Sequence, residues 1–277
     1  MQPLRRQAYA ALRCPICRAD LKTAGRSLCC RNRHTFDLAR SGYVNLALGR
    51  KVGAGDTRDQ LQRRAAFLAT GAFDFIADTI LTRIDARRPP SLVLDVGCGT
   101  GYYLDRIRRG LGGTCSGLGL DLSKEAARLA AHRHAASGFA VVDIWSDWPV
   151  RSAAADLLIN VFAPKNFAEM ARTLRIGGQL AMAYPGPRHL IELRQALGLI
   201  GLKSGKGDLY RHRLESFGRG IVSDRLVRSV QIRHRDGLDL VLMGPNARHL
   251  PAARMQPWPG TRPITFDIEV LTAVRRS

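Results

Sequence analysis

The chain has 277 residues, of which 45% are apolar, so it is long enough for one large domain with a sizeable core and a smaller one beside it. No apolar run reaches the ~18 residues that a membrane helix needs, and the N-terminus shows no signal peptide, which predicts a cytoplasmic protein without a membrane span. A formal net charge of +20 favours a polyanionic partner such as nucleic acid, although a GC-rich genome also enriches a proteome in arginine.

The N-terminal region, residues 1–49, is predicted to be a small unit stapled by metal. It has short elements, several turns and too few apolar residues for a core of its own. Four of the six cysteines lie in its first 30 residues, at Cys14, Cys17, Cys29 and Cys30. In a chain without a secretion signal, this clustering indicates a metal site rather than disulfides.

The next segment, residues 50–90, is predicted to be a linker followed by helices. Residues 50–58 are polar and contain glycine. Residues 59–87 repeat apolar side chains at helical spacing in two stripes, which Gly71 separates. Pro89 and Pro90 end the segment, because proline does not continue a helix.

Residues 91–277 alternate strands with helices, the pattern of a parallel α/β sheet. The predicted strands span residues 92–96, 115–120, 139–142, 155–161 and 179–184, and the helices between them span residues 102–109, 124–133 and 168–174. Further helices are predicted near 188–200 and 206–218, and antiparallel strands at 225–233, 239–243 and 265–274.

A glycine-rich loop follows the first of these strands. Asp95 lies inside the end of the strand, and Gly97, Gly99 and Gly101 alternate after it, with Thr100 before the last glycine. Glycines let the backbone turn tightly and approach a ligand, and the helix after Gly101 would direct free N–H groups at an anionic group. The spacing is tighter than the G-x-G-x-x-G of dinucleotide sites, so the loop predicts a different nucleotide-like cofactor.

Two acidic residues extend this predicted site. Asp121 closes the second strand, where it can accept hydrogen bonds from ribose hydroxyls, and Asp143 closes the third, near the place of an adenine amino group. With the glycine loop, they resemble the class I, Rossmann-like methyltransferases over residues 91–277. The resemblance implies a seven-stranded, mostly parallel sheet, S-adenosylmethionine as cofactor and in-line methyl transfer that depends on positioning.

Four N-terminal side chains have the spacing of a zinc site. Two residues separate Cys14 from Cys17, and three separate Cys30 from His34. Three thiolates and one imidazole suit a closed, tetrahedral structural zinc. Cys29 competes with Cys30 for the third position, and the spacing to His34 favours Cys30.

This zinc knuckle restricts the resemblance from the class I methyltransferases in general to one family among them. The runs at residues 14–17, 30–37 and 42–46 resemble the N-terminus of the RlmA/TlrB family, methyltransferases of 23S ribosomal RNA that modify guanine N1 in the loop of hairpin 35. Further matching runs lie along the whole chain, at residues 55–57, 64–68, 97–103, 160–164 and 185–190.

The family resemblance implies roles for individual residues. Gly99 and Thr100 match positions of the cofactor loop, and His189 matches a histidine that contacts the cofactor. Phe73 stands where members often have a tyrosine, so its ring could pack on the cofactor without the hydroxyl. The resemblance also implies the hairpin 35 region as RNA partner and a homodimer.

The segment after the fourth predicted strand, residues 160–164, differs from the Asn-Pro-Pro-Tyr tetrad of many amino-methylating enzymes. Both adjacent prolines are missing, so an amine nucleophile is not supported. Asn160 is still predicted to orient a base and to contact the cofactor, and Phe162 to stack on a base drawn out of its loop.

Guanine N1 carries a proton at neutral pH, so we expect a general base within hydrogen-bond reach. Asp56 and His189 are both candidates, and no spacing singles one out. RNA phosphates are expected to contact a basic face of the N-terminal unit. The predicted face comprises Arg5, Arg6, Arg13, Arg18, Arg31, Arg33 and Arg40.

Several functional interpretations stay open. The family contains a housekeeping specificity and a second one that includes tylosin and mycinamicin resistance proteins, and residues 160–164 and 243–245 resemble the second. A small-molecule methyltransferase of antibiotic biosynthesis would need neither the zinc knuckle nor the basic charge. A non-catalytic RNA-binding module is opposed by the intact glycine loop.

Overall fold

The structure is a computed structural model that describes residues 2–48, 55–199, 201, 205–244, 250 and 256–276. The helices run in chain order as α1 (Pro3–Tyr9), α2 (Arg58–Leu68), α3 (Asp74–Arg83), α4 (Tyr102–Gly110), α5 (Lys124–Arg133), α6 (Phe167–Thr173), α7 (Ile191–Leu197), α8 (Lys206–Glu215) and α9 (His234–Leu242). The strands run as β1 (Lys22–Ala24), β2 (Ser27–Cys29), β3 (Thr35–Asp37), β4 (Val44–Asn45), β5 (Leu92–Val96), β6 (Ser116–Asp121), β7 (Gly138–Val141), β8 (Ala155–Val161), β9 (Leu174–Pro185), β10 (Gly218–Arg233) and β11 (Thr261–Arg275).

The main sheet has the strand order β10-β11-β9-β8-β5-β6-β7-β4. From β5 the chain proceeds to β6 and β7 on one side and then returns to β8 and β9 on the other, with all of these strands parallel. Strands β10 and β11 close the far side in antiparallel pairing. The reversal at β5 opens a crevice at the carboxyl ends of β5 and β8, which is where ligands bind in open α/β sheets.

The predicted seven-stranded, mostly parallel sheet is confirmed, and the N-terminal region adds an eighth strand. Every residue of β5 and β7 is buried, because helices or the N-terminal region cover both sheet faces. This burial explains why the strands appear in the sequence as short continuous apolar runs.

The predicted strand at residues 239–243 is wrong, because most of this segment belongs to α9. Gly237, Leu240 and Val241 are buried at helical spacing, and Asp239 accepts a hydrogen bond from Arg63 of α2 at 3.1 Å. A short apolar run does not distinguish a buried strand from a buried helix, and here tertiary packing decides. Position 245 of the neighbouring motif lies outside the described residues.

The two predicted helices before the sheet are confirmed as α2 and α3. Thr57 caps α2 in a capping box, since its Oγ1 accepts from the Gln60 N–H at 3.3 Å while its own N–H donates to Gln60 Oε1 at 3.0 Å. Gly71 has a φ of +76° and lies between the helices. Residues 50–54 of the predicted linker, and with them the boundary near residue 49, lie outside the described residues.

The N-terminal unit packs directly on the sheet. Tyr9, Leu12 and Leu28 share one buried cluster with Leu94 and Leu118 of the central strands. Strand β4 extends the sheet by parallel pairing with β7. A unit with few apolar residues thus completes its core on the larger domain. Among the described residues, no helix has the length and apolar character needed to cross a membrane.

Candidate active site and metal centre

The four predicted metal ligands come together. Cys14, Cys17, Cys30 and His34 place their ligand atoms within 4.8 Å of one another. The Sγ atoms of Cys14 and Cys30 each lie 3.5 Å from His34 Nδ1, and the Sγ atoms of Cys17 and Cys30 are 3.7 Å apart. Zinc bonds of about 2.3 Å to sulfur and about 2.0 Å to nitrogen separate tetrahedral ligand atoms by roughly 3.5–3.8 Å, so the cluster fits zinc.

Metal binding requires thiolates, and a backbone hydrogen bond favours the thiolate form of one of the cysteines. A hydrogen bond from the Ala19 backbone lowers the pKa of Cys17 to about 6, whereas burial raises the pKa of Cys14. Cys29 is not part of the cluster, and its Sγ lies 3.4 Å from Thr35 Oγ1. The preference for Cys30 over Cys29 is confirmed.

The zinc knuckle contacts the connection from β7 to β8, residues 142–154. The Arg13 N–H donates to the Pro149 carbonyl at 3.0 Å, and Arg18 Nη2 lies 2.8 Å from Asp147 Oδ2. The zinc knuckle is therefore tied to a segment that begins at the carboxyl edge of the sheet.

The glycine loop has the backbone geometry that its sequence predicts. Gly97, Gly99 and Gly101 have φ values of +76°, +52° and +78°. A Cβ on Gly97 would overlap the Ala163 side chain, and a Cβ on Gly101 would lie 2.8 Å from His134 Cδ2. Both conformation and space therefore require glycine. Helix α4 begins after Gly101 without a side-chain cap, which leaves first-turn N–H groups available to an anionic group.

Two carboxyl groups lie next to this loop. Asp121 accepts the N–H groups of Gly99 and Ser123, each at 2.8 Å, and burial raises its pKa. Asp95 is 2% exposed, and burial, followed by the nearby charge of Asp121, raises its pKa to about 8. Asp121 thus lies at the strand end and holds the Gly99 backbone, whereas Asp95 lies buried beneath the loop.

Asp143 lies two residues beyond the end of β7 and stabilises a turn. Its Oδ1 accepts from the Trp145 N–H at 3.0 Å, and its carbonyl accepts from Ser146 Oγ at 2.9 Å. This places a half-buried carboxylate at the carboxyl edge, on the same side of β5 as Asp121.

Asn160 joins the strands that flank the crevice. Its side chain is fully buried, and Nδ2 donates to the Val96 carbonyl at 2.9 Å and the Pro164 carbonyl at 3.0 Å. Its Oδ1 is buried without a hydrogen-bond partner in the described part of the chain. Buried acceptors are rarely left unpaired, so this atom points to a donor on a ligand.

Aromatic rings line the other side of the crevice. Phe73 is 1% exposed and packs on Phe266 with ring centroids 4.7 Å apart, whereas Phe162 is 39% exposed. The rings of Phe73 and Phe162 both lie near the imidazole of His189. Burial lowers the pKa of His189 to about 4, and no described residue pairs with its buried Nδ1. At neutral pH this imidazole is uncharged and can accept a proton or a hydrogen bond.

Asp56 lies on the cofactor-loop side of the crevice. Its carboxylate is paired with Arg64, and its carbonyl accepts from Ser123 Oγ at 3.1 Å. Arg64 Nη1 would lie 3.3 Å from a Cβ on Gly99, so this guanidinium covers the glycine loop. The sequence alone does not reveal this role of Arg64, although the residue lies in the matching run at residues 64–68.

The predicted basic face is corrected at Arg5. Its Nε donates to the Ser137 carbonyl at 2.9 Å and its Nη2 to the Ala131 carbonyl at 3.1 Å, so it anchors α1 to the main domain and is not free for phosphate. Arg18 is engaged by Asp147. The exposed arginines of the predicted face that remain are Arg6, Arg31, Arg33 and Arg40.

Comparison with known proteins accounts for both parts of the chain. The model of the RlmA N-terminal zinc ribbon matches residues 12–47, and a methyltransferase domain model matches residues 93–178. The chain is 36% identical over 272 residues to the 23S rRNA (guanine(748)-N1)-methyltransferase of Streptomyces fradiae, covering 96% of this chain and 97% of the relative. The chain belongs to this family of 23S rRNA (guanine-N1)-methyltransferases.

Two further members of the family extend the comparison. A Micromonospora griseorubida protein assigned as a 23S rRNA (guanine-N1)-methyltransferase is 38% identical over 268 residues, covering 88% of this chain and 89% of that protein. The YxjB protein of Bacillus subtilis, with the same assignment, is 34% identical over 199 residues, covering 68% of this chain and 69% of that protein.

S-adenosylmethionine, the cofactor of the fold, fits the residues of the crevice. The glycine backbone and the free first turn of α4 suit an amino-acid carboxylate, and Asp121 suits ribose hydroxyls. Asn160 Oδ1 and His189 Nδ1 are buried polar atoms that lack a partner among the described residues, so they stay available to a substrate beside the cofactor. A structural zinc fits the three cysteines and one histidine equally well.

Proposed function

We propose that this chain transfers the methyl group of S-adenosylmethionine to N1 of a 23S rRNA guanine in the loop of hairpin 35, the guanine numbered 748 in the name of the Streptomyces relative. The observation that carries the proposal is the extent of that identity. The aligned region covers 96% of the chain and so includes both the crevice and the N-terminal unit with the four metal ligands, here called the zinc unit.

The cofactor contacts follow from the crevice. The first turn of α4 and the backbone of Gly97–Gly101, with Thr100 beside them, would hold the methionine carboxylate. Asp121 would accept hydrogen bonds from the ribose, and Asp143 would contact the adenine. Phe73 contributes packing alone, because it has no hydroxyl.

The same geometry supports a mechanism for the guanine. The cofactor supplies an electrophilic methyl group on its sulfonium. For N1 to take up this methyl group, the proton on N1 must leave. His189 is the better proton acceptor, because its imidazole is neutral and its Nδ1 has no partner among the described residues, whereas the carboxylate of Asp56 is paired with Arg64.

The target base is proposed to lie between Asn160 and Phe162. Asn160 Oδ1 is a buried acceptor that no described residue pairs with, which suits a guanine N–H. The half-exposed ring of Phe162 suits stacking on a base that leaves its loop. Phosphates of the hairpin are proposed to meet the exposed arginines of the zinc unit.

Mass spectrometry of nucleosides tests this proposal. Unmodified 23S rRNA incubated with the protein and cofactor is expected to gain 1-methylguanosine, and the Asp121→Ala variant is expected to add none. Methylation of a macrolide precursor without any methylation of RNA would contradict the proposal and favour a role in antibiotic biosynthesis.

The proposal includes the resistance specificity and a homodimer. A macrolide-sensitive host that expresses the chain should become resistant to tylosin and mycinamicin, and the same host with Asp121→Ala should not. Unchanged susceptibility together with methylation of the neighbouring guanine would assign the housekeeping role instead.

Light scattering of the purified protein tests the proposed homodimer, and a monomer mass at micromolar concentration would contradict it.

A further inference from the structure

Trp145 is a large aromatic side chain that the fold leaves in solvent. It is 65% exposed, whereas Trp148 is fully buried and Trp258 is 7% exposed. Trp145 follows Asp143 on the connection from β7 to β8, at the carboxyl edge of the sheet. Most tryptophans bury the greater part of their surface, so an exposed one beside a crevice indicates a binding surface.

Hydrogen bonds hold the turn that displays this ring. The Trp145 N–H donates to Asp143 Oδ1 at 3.0 Å, and the Ser146 N–H donates to the Asp143 carbonyl at 3.2 Å. The Trp145 carbonyl accepts from Asn166 Nδ2 at 3.4 Å. Asn166 directly follows the loop that contains Phe162, so Trp145 is held beside the proposed site of the target base.

The segment of Trp145 contacts a unit that carries an excess of basic residues. Asp147, two residues further on, pairs with Arg18 of the zinc unit at 2.8 Å. Residues 2–48 of that unit contain nine basic residues and two acidic ones. This excess of basic residues favours a partner with negative charge.

We propose that Trp145 is a stacking platform for a nucleobase of the RNA loop, adjacent to the guanine that Phe162 receives. This inference rests on the proposed RNA substrate. Loops offer unstacked bases, and an aromatic ring stacks on any of them without sequence preference. With phosphates on the zinc unit and the target base at Phe162, the ring between them meets a flanking nucleotide.

Kinetics with a hairpin 35 RNA test this inference. Stacking on one aromatic ring contributes enough that Trp145→Ala should raise KM for the RNA about 10- to 100-fold, while kcat and the Kd of the cofactor stay within twofold. Trp145→Phe keeps a ring and should stay close to the wild type. Ile176→Ala is the matched control, because Ile176 is 62% exposed at the amino end of β9, the opposite edge of the sheet.

Fluorescence gives a second readout. The difference between the spectra of the wild type and Trp145→Phe isolates the emission of Trp145, and the RNA should quench it. An unchanged KM in Trp145→Ala, with a wild type that methylates RNA, would overturn the inference and leave the proposed function intact. Quenching of Trp145 by the cofactor alone would assign the ring to the adenine. Protection of Trp145 from solvent that grows with protein concentration would assign the ring to a second copy of the chain. Either result would also overturn the inference. A wild type that methylates no RNA would overturn the proposed function and this inference with it.

Discussion

The phenyl ring of Phe162 stacks on the imidazole of His189, with ring centroids 6.1 Å apart and planes inclined by 25°. The two side chains come from the loops after β8 and β9, which are neighbouring parallel strands. Phe162 has a φ of +55°, which is uncommon for a bulky residue, and its N–H donates to the Ala183 carbonyl at 3.0 Å. Such conformations concentrate at functional sites, so this pair is where we expect the target base.

Removing the ring of Phe162 should weaken RNA binding rather than cofactor binding. We expect Phe162→Leu to raise KM for a hairpin 35 RNA about 10- to 100-fold, because base stacking is lost while the apolar volume is largely kept. Phe162→Tyr should keep most of the activity. Equal KM values for the wild type and Phe162→Leu would contradict the stacking role.

Replacing His189 should slow the chemical step. General base catalysis typically contributes about 100-fold or more, so His189→Gln should lower the single-turnover rate by at least that factor at saturating cofactor and RNA. A rate within twofold of the wild type would remove His189 as the proton acceptor.

The His189→Gln variant also tests how the free energy of unfolding depends on pH. Burial depresses the pKa of His189 from 6.5 to about 4, with Asp267 opposing the shift and Arg194 adding to it. The unfolded chain therefore binds this proton first, and the stability of the wild type falls as the pH drops from 6.5 towards 4. Relative to His189→Gln, the wild type should lose about 2 kcal/mol between pH 8 and pH 5 in urea unfolding. A constant difference between the two proteins over this range would contradict the depressed pKa.

The Asp56→Asn variant distinguishes a role of Asp56 as general base from a role in holding Arg64 over the glycine loop. Because its carboxylate pairs with Arg64, which covers Gly99, we expect the Kd of the cofactor to rise severalfold while the rate at saturating cofactor changes less than twofold. Asp59→Asn is the control, since Asp59 forms an exposed ion pair with Arg63 on the same helix. A large loss of rate with unchanged cofactor affinity would make Asp56 the base.

The zinc assignment predicts opposite results for two neighbouring cysteines. Cys30→Ser should lose the bound zinc and lower the melting temperature, because structural zinc contributes directly to folding. Cys29→Ser should keep one zinc per chain, since Cys29 contacts Thr35 outside the cluster. Metal analysis and thermal unfolding measure both effects. Loss of zinc from Cys29→Ser alone would reverse the assignment.

Much of the site was predictable because its chemistry is local in sequence. The ligand spacing identified Cys14, Cys17, Cys30 and His34, and the strand ending at Val96 located the glycine loop. Residues 239–243 were misassigned because a short apolar run fits a strand or a helix, and packing against α2 decides between them.

Contacts between distant segments were outside the reach of sequence reasoning. Arg5 was assigned to the RNA face because its charge is visible in the sequence, whereas the carbonyls of Ala131 and Ser137 that engage it lie more than 120 positions away. The cover that Arg64 forms over Gly99 and the exposure of Trp145 also depend on such tertiary placement.

A primer-extension map of methylated 23S rRNA tests the central claim most directly. The protein, its cofactor and unmodified rRNA are expected to give one new stop, at guanine 748 in the loop of hairpin 35, because a methyl group on N1 blocks base pairing. The stop should be absent with Asp121→Ala. No stop in the RNA, or stops spread over many guanines, would contradict the account.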